Sequence, residues 1–298
     1  MMNFHDRLEQ RIAKCGNPVC MGMDPVLKLI DPCCPDGTAE DKIKRFYSEL
    51  LECCLKRNVM PAVVKPNSAY YECVSVQAML VLQQLIADYR SAGIPVILDA
   101  KRGDIGKSSA AYAVAAFDVY KADVVTVSPW MGSDSVNPFL RENSENGAYV
   151  LLRTSNKGAH DFQDMQVIGS DDPRDVNEAF YKVADKIFEW DGDKGFFGAV
   201  VGATHPEELE KITAYCVAHQ HEIPFLIPGV SIPGVPGGQG GDAKTVLTAI
   251  KNGGGKRQFH VLNSSSGLNF AYQRSGKPEA FATECVDALE RLAEACRI

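Results

Sequence analysis

No stretch of this 298-residue sequence reaches the roughly 18 to 20 consecutive apolar residues that a bilayer-crossing helix needs, so no membrane-spanning helix is expected. Positive charge is also short. With 31 Lys and Arg against 38 Asp and Glu, the formal charge is -7, and a nucleic-acid partner, which needs a broad basic face, is not expected. Cysteine is plentiful at ten, but metal-binding spacing is missing: there is no Cys-x-x-Cys pair, and Cys33/Cys34 and Cys53/Cys54 are adjacent. The thiols are therefore expected to be reduced and to act mostly as small apolar residues, with no metal. Met1–Gly16 is polar and charged and lacks the apolar core of a signal peptide, which points to a cytoplasmic location. No linker rich in Pro, Gly or Ser and no internal repeat divides the chain, so residues 1–298 are expected to form one domain.

What the sequence does hold is a soluble globular composition, 45% hydrophobic and 23% charged, long enough to bury a large core. Short apolar, β-branched runs recur at Val19–Met23, Ala62–Lys65, Pro95–Asp99, Val124–Ser128, Tyr149–Ser155, Phe197–Gly202, Phe225–Gly229 and Phe259–Ser264. Between them lie segments of helical period, at Asp41–Asn58, Val76–Ser91, Ser109–Lys121, Val176–Trp190, Pro206–His221, Ala243–Lys251 and Pro278–Cys296. Strand and helix alternating throughout imply a parallel sheet, and nearly continuous apolar strands imply burial on both faces. Eight such units predict an α/β fold of the (β/α)8, or TIM, barrel type, with an open doubly wound sheet as the competing architecture. Two long loop-like stretches, Lys157–Arg174 and Ser231–Asp242, would follow strands at the C-terminal rim, where such barrels build their active sites.

The densest chemistry is Asp99-Ala-Lys101-Arg-Gly-Asp104 at the end of the third strand, where alternation puts Asp99 and Lys101 on one face. A carboxylate beside an ammonium stays ionised and keeps its neighbour protonated, which offers a fixed negative charge next to a proton donor. Lys65 ends the second strand and should lie beside it, so that Asp99 can sit between Lys65 and Lys101, with Asp104 extending the array from the following loop. The first strand likewise ends in Asp24. After the seventh strand, Gly237-Gly-Gln239-Gly240-Gly-Asp242 leads into a helix, a place where backbone N–H groups approach a phosphate in barrels of this kind.

These motifs, together with Ser128-Pro-Trp-Met-Gly-Ser-Asp134, Arg153-Thr-Ser-Asn-Lys-Gly158 and Val201-Gly-Ala-Thr204, resemble the orotidine 5′-phosphate decarboxylases, in particular a longer bacterial subgroup, from about Phe4 to the last helix. The resemblance implies conversion of orotidine 5′-phosphate (OMP) to UMP and CO2 without a cofactor. It makes Lys65, Asp99, Lys101 and Asp104 the catalytic tetrad, with Asp104 donated across a homodimer interface. It also implies that Asp24 holds a ribose hydroxyl and Ser108 lies near the shared ribose contact. Ser155 would read the pyrimidine edge and Gln239 would touch phosphate, with Gly240, Ser266 and Gly267 as further substrate contacts.

One departure stands out: where the subgroup carries Asn-x-x-Arg after the eighth strand, this chain has Asn263-Ser-Ser-Ser266, and Arg274 is the nearby cation that could reach back. Two other functions fit parts of the pattern. A sugar-phosphate decarboxylase or aldolase on the same barrel would need Mg²⁺ to hold an enediolate, and its activity would fail in EDTA. A non-catalytic nucleotide-binding protein would bind UMP without releasing CO2.

Overall fold

The computed structural model describes residues 2–141, 145–168, 176–232 and 241–297. Eight parallel strands carry the fold: β1 (Val19–Met23), β2 (Val63–Pro66), β3 (Ile97–Arg102), β4 (Val124–Val127), β5 (Gly147–Arg153), β6 (Phe197–Val201), β7 (Phe225–Pro228) and β8 (Val261–Ser264). Each pairs with its sequence neighbour, and β8 pairs with β1 at Val19↔Leu262. The remaining seam, β2 to β3, closes through the parallel bridges Val64↔Val96 and Asn67↔Asp99. The barrel is thus the architecture expected from the repeated apolar runs.

The helical layer follows the periodic segments closely. It comprises α1 (Phe4–Cys15), α2 (Ala39–Arg57), α3 (Val76–Ser91), α4 (Gly106–Val114), α5 (Ala179–Asp191), α6 (Pro206–Ala218), α7 (Ala243–Asn252) and α8 (Phe281–Ala295). Helix α2 starts at a capping box, with the Thr38 hydroxyl accepting from the Asp41 amide and the Asp41 carboxylate accepting from the Thr38 amide. Helix α4 runs on into a π turn, Ala115–Val119, rather than continuing as α-helix to Lys121.

Three elements differ from the sequence-based expectation. The polar N-terminal segment is a helix, α1, which inserts Phe4, Leu8 and Ile12 into the base of the barrel beside Val63, Ile97, Val124 and Tyr149. Gly147 is required there, because a Cβ on it would stand 2.4 Å from the Phe4 ring. The stretch read as loop, Lys157–Arg174, contains one strand of a small antiparallel ribbon in which Gln166–Ile168 pairs with Val176–Glu178. For that reason the helix expected from Val176 begins only at Ala179. A larger apolar cluster fills the space between the barrel and its helices. All ten cysteines are free, six of them buried, and burial pushes the Cys20 thiol up to about 12. Among the described residues no helix is long and apolar enough to cross a membrane.

Candidate functional site

The C-terminal ends of the strands surround a cleft of about 700 Å3. Its floor is charged. Lys65, at the end of β2, gives its Nζ to Asp99 Oδ2 at 2.7 Å, and Lys101 Nζ reaches Asp99 Oδ1 at 2.6 Å. The Thr126 hydroxyl of β4 donates to the same Oδ1 at 2.9 Å, so the Asp99 carboxylate is held from three sides. Lys65 and Asp99 are buried, whereas the Lys101 side chain is 48% exposed.

The pairing of Asp99 with Lys101 depends on an irregularity in β3. Its register against β4 jumps between Leu98 and Arg102, and Lys101 has φ 43°, in the left-handed region. A non-glycine residue there costs roughly 1–2 kcal/mol. The Thr126 hydroxyl offsets that strain by accepting both the Ala100 and Lys101 amides, at 3.1 and 2.9 Å. Thr126 belongs to this array although alternation alone did not single it out; a hydroxyl within the apolar run Val124-Val-Thr126-Val127 was its visible signal.

Electrostatics fix the charge states. Burial favours a neutral Asp99, but the Lys65 and Lys101 ammoniums outweigh it and hold the carboxyl well below the usual range. Burial likewise works against the Lys65 ammonium, and the carboxylates of Asp99 and Asp24 more than offset it, so its pKa is raised. Asp24 lines the cleft, and its Oδ1 is buried with no partner among the described residues. A buried carboxylate oxygen left open in this way is suited to accept a ligand hydroxyl.

The other expected site residues divide into groups. Ser155, Ser266 and Gly267 line the cleft. Ser155 follows Arg153, which is buried in a two-pronged pair with Glu208 at 2.7 and 3.0 Å and anchors the start of that loop. It also lies so close to β6 that a Cβ on Gly202 would meet its own Cβ at 2.8 Å. Asp104 stands apart from the Lys65, Asp99 and Lys101 array: its Oδ1 accepts the Ile105 amide at 2.8 Å, and no bond joins it to either lysine. Ser108 is exposed on α4. Gln239 and Gly240 lie outside the described residues. Arg274 lines the cleft beyond β8, is exposed and forms no ion pair with a described residue.

The rim around Lys101 and Asp104 is also unusually apolar. Ile105 is 62% exposed, Trp130 72% and Phe162 55%, with the last two rings in edge contact at 5.2 Å. Exposed large apolar groups of this kind are common at protein–protein contact surfaces.

Comparison with known proteins finds matches along nearly the whole chain. Residues 17–257 match the model of the orotidine 5′-phosphate decarboxylase / HUMPS family. A Halobacterium salinarum orotidine 5′-phosphate decarboxylase is 34% identical over 295 residues, covering 98% of both chains. Among solved structures, Leishmania donovani OMP decarboxylase is 32% identical with TM-score 0.67, covering 98% of this chain and 99% of that one. Leishmania donovani UMP synthase is 33% identical with TM-score 0.71, and there the match covers 98% of this chain but 57% of the longer protein.

Proposed function

The chain belongs to the orotidine 5′-phosphate decarboxylase / HUMPS family, and from that premise we infer that it removes the carboxylate of OMP to give UMP and CO2. The observation that carries the mechanism is the buried Asp99 carboxylate held between two lysine ammoniums. Loss of CO2 from C6 of the pyrimidine leaves an electron pair in the plane of the ring, where the ring's own π system cannot spread it. Fixed charge must then stabilise it. The Lys101 ammonium lies against that carbon, stabilises the developing carbanion and then gives it a proton. Asp99 presses against the departing carboxylate, and Lys65 keeps the array in register. No cofactor takes part in this scheme. Asp24 accepts a ribose hydroxyl, Ser155 meets the pyrimidine edge, and Ser266 and Gly267 flank the phosphate.

Arg274 replaces the arginine absent at Ser266 as the phosphate's cation. It is supported by its position on the cleft wall without a described counter-ion. A charge-assisted hydrogen bond contributes about 1.5–3 kcal/mol, so Arg274→Ala is expected to raise KM roughly 10- to 150-fold. Steady-state kinetics with OMP check this, and an unchanged KM would leave the phosphate with another partner.

The protein works in the cytoplasm as a homodimer in which Asp104 enters the neighbouring subunit's site. Half-exposed Lys101, Asp104 with no bond to either lysine, and the adjoining apolar rim of Ile105, Trp130 and Phe162 support that arrangement, since a second copy would cover all of them and dry the site. Mixing an Asp104→Ala variant with a Lys101→Ala variant tests it. Half of the reassorted dimers then carry one intact site, so activity returns to roughly a quarter of the wild-type level from nearly none. Persistently dead mixtures that have exchanged subunits would argue for Asp104 acting within its own chain.

A further inference from the structure

We propose that a cavity at the base of the barrel, at the end opposite the catalytic cleft, is a second binding site that takes a small organic phosphate. The cavity measures about 240 Å3 and lies between α1, α7, the C-terminal end of α8 and the segment 255–260 that leads into β8. Five cations line it: Lys244, Lys251, Lys256, Arg257 and Arg297. Among its described lining residues there is no Asp or Glu.

This concentration runs against the composition of a chain with formal charge -7. Only Arg257 is neutralised, by Asp6 at 2.9 Å and Glu9 at 2.8 Å; the other four form no ion pair with a described residue. Like charges gathered around one concavity repel each other, and an anion seated among them relieves that cost while gaining from all of them.

A buried, unpartnered group sits in the same wall. His260 lines the cavity and is 7% exposed. Its Nδ1 accepts the Phe225 amide at 3.1 Å, which puts the ring hydrogen on Nε2, and that Nε2 has no partner among the described residues. A buried N–H donor without an acceptor costs about 1–3 kcal/mol, so this wall carries an unmet polar group beside its cations.

The ligand's size and chemistry follow from the walls. Ile12, Leu247 and Ile250 supply an apolar side, so the occupant has an apolar body as well as a charged head. The volume falls just below the roughly 300–1,000 Å3 of drug-sized ligand sites, which suits one ring and a phosphate and not a dinucleotide. A dianionic phosphate uses several cations at once, where a carboxylate would use fewer.

Hydrogen exchange read by mass spectrometry separates this site from the catalytic cleft, with phenyl phosphate and UMP as probes. The expected result is protection of peptides covering residues 244–260, with a dissociation constant at least tenfold weaker in a Lys251→Glu, Lys256→Glu variant whose kcat and KM are unchanged. Both lysines are exposed, and the corresponding double Gln variant serves as the milder test, with an intermediate loss of affinity. Protection confined to residues 228–232 and 263–274, or basal protection that survives charge reversal, overturns the proposal. The readout needs no turnover, so it stands or falls separately from the decarboxylase assignment.

Discussion

Lys101→Ala should lower kcat by about 10⁴-fold or more while leaving the fold in place. A positioned general acid supplies roughly 10²–10⁴-fold, and one preorganised charge facing a developing anion supplies about 10²–10³-fold; Lys101 serves both purposes at one carbon. The two contributions act through the same ammonium and so do not simply multiply. Because the side chain is 48% exposed, its removal leaves no buried cavity, and the thermal midpoint should move little. The Asp99 carboxylate also keeps Lys65 and Thr126 as partners in the variant. Single-turnover measurement of CO2 release distinguishes slow chemistry from slow product release. Turnover within tenfold of wild type would remove Lys101 from the chemistry, and a collapse in thermal stability would show that its loss acts through the fold.

The barrel was legible because its strands are covered on both faces, so each reads as an unbroken apolar run, such as Val19–Met23 and Phe197–Val201, whose residues are all buried. The charges at the strand ends were equally visible, since Lys65 and Asp99 interrupt apolar segments where interior lysine and aspartate are rare. What alternation could not foresee is the manner of their meeting. Lys101 reaches Asp99 through a left-handed residue and a register jump, stabilised by a hydroxyl from the next strand, a tertiary contact with no local signature. Helix α1 was missed for a related reason: its buried face is only Phe4, His5, Leu8 and Ile12 within a strongly polar segment, and the socket that receives them is built from residues far along the chain. The short ribbon was hidden because its strands, Gln166–Ile168 and Val176–Glu178, are only three residues each, and in the first of them Gln166 and Ile168 are exposed and only Val167 is partly buried. The separation of Asp104 from the lysines follows from chain direction after β3, where Ile105 leads away into α4.

Asp99→Ala should be the most destabilising change in the site as well as an inactivating one. It leaves Lys65, whose side chain is 5% exposed, with a buried ammonium and only Asp24 as a remaining nearby carboxylate. Breaking a buried pair from one side costs about 3–5 kcal/mol, which for a barrel of this size corresponds to a fall of roughly 5–10 °C in thermal midpoint. The pH dependence identifies the cause. In the wild type the Asp99 carboxyl titrates below its unfolded value of about 3.9, so its stabilisation is complete above that pH and is lost as the pH falls toward the folded value. The variant should therefore have a shallower acid transition than the wild type. At the alkaline end the difference reverses. Wild-type Lys65 holds its proton more tightly folded than unfolded, so its contribution is present below the unfolded lysine value of about 10.4 and declines above it. In the variant, burial is no longer offset by Asp99, Lys65 gives up its proton more readily in the folded state, and stability rises as the pH approaches 10. Chemical denaturation of both proteins at pH 3, 7 and 9.5 measures this. A deficit in the variant that is constant across the three would mean that lost packing, not an uncompensated ammonium, is responsible.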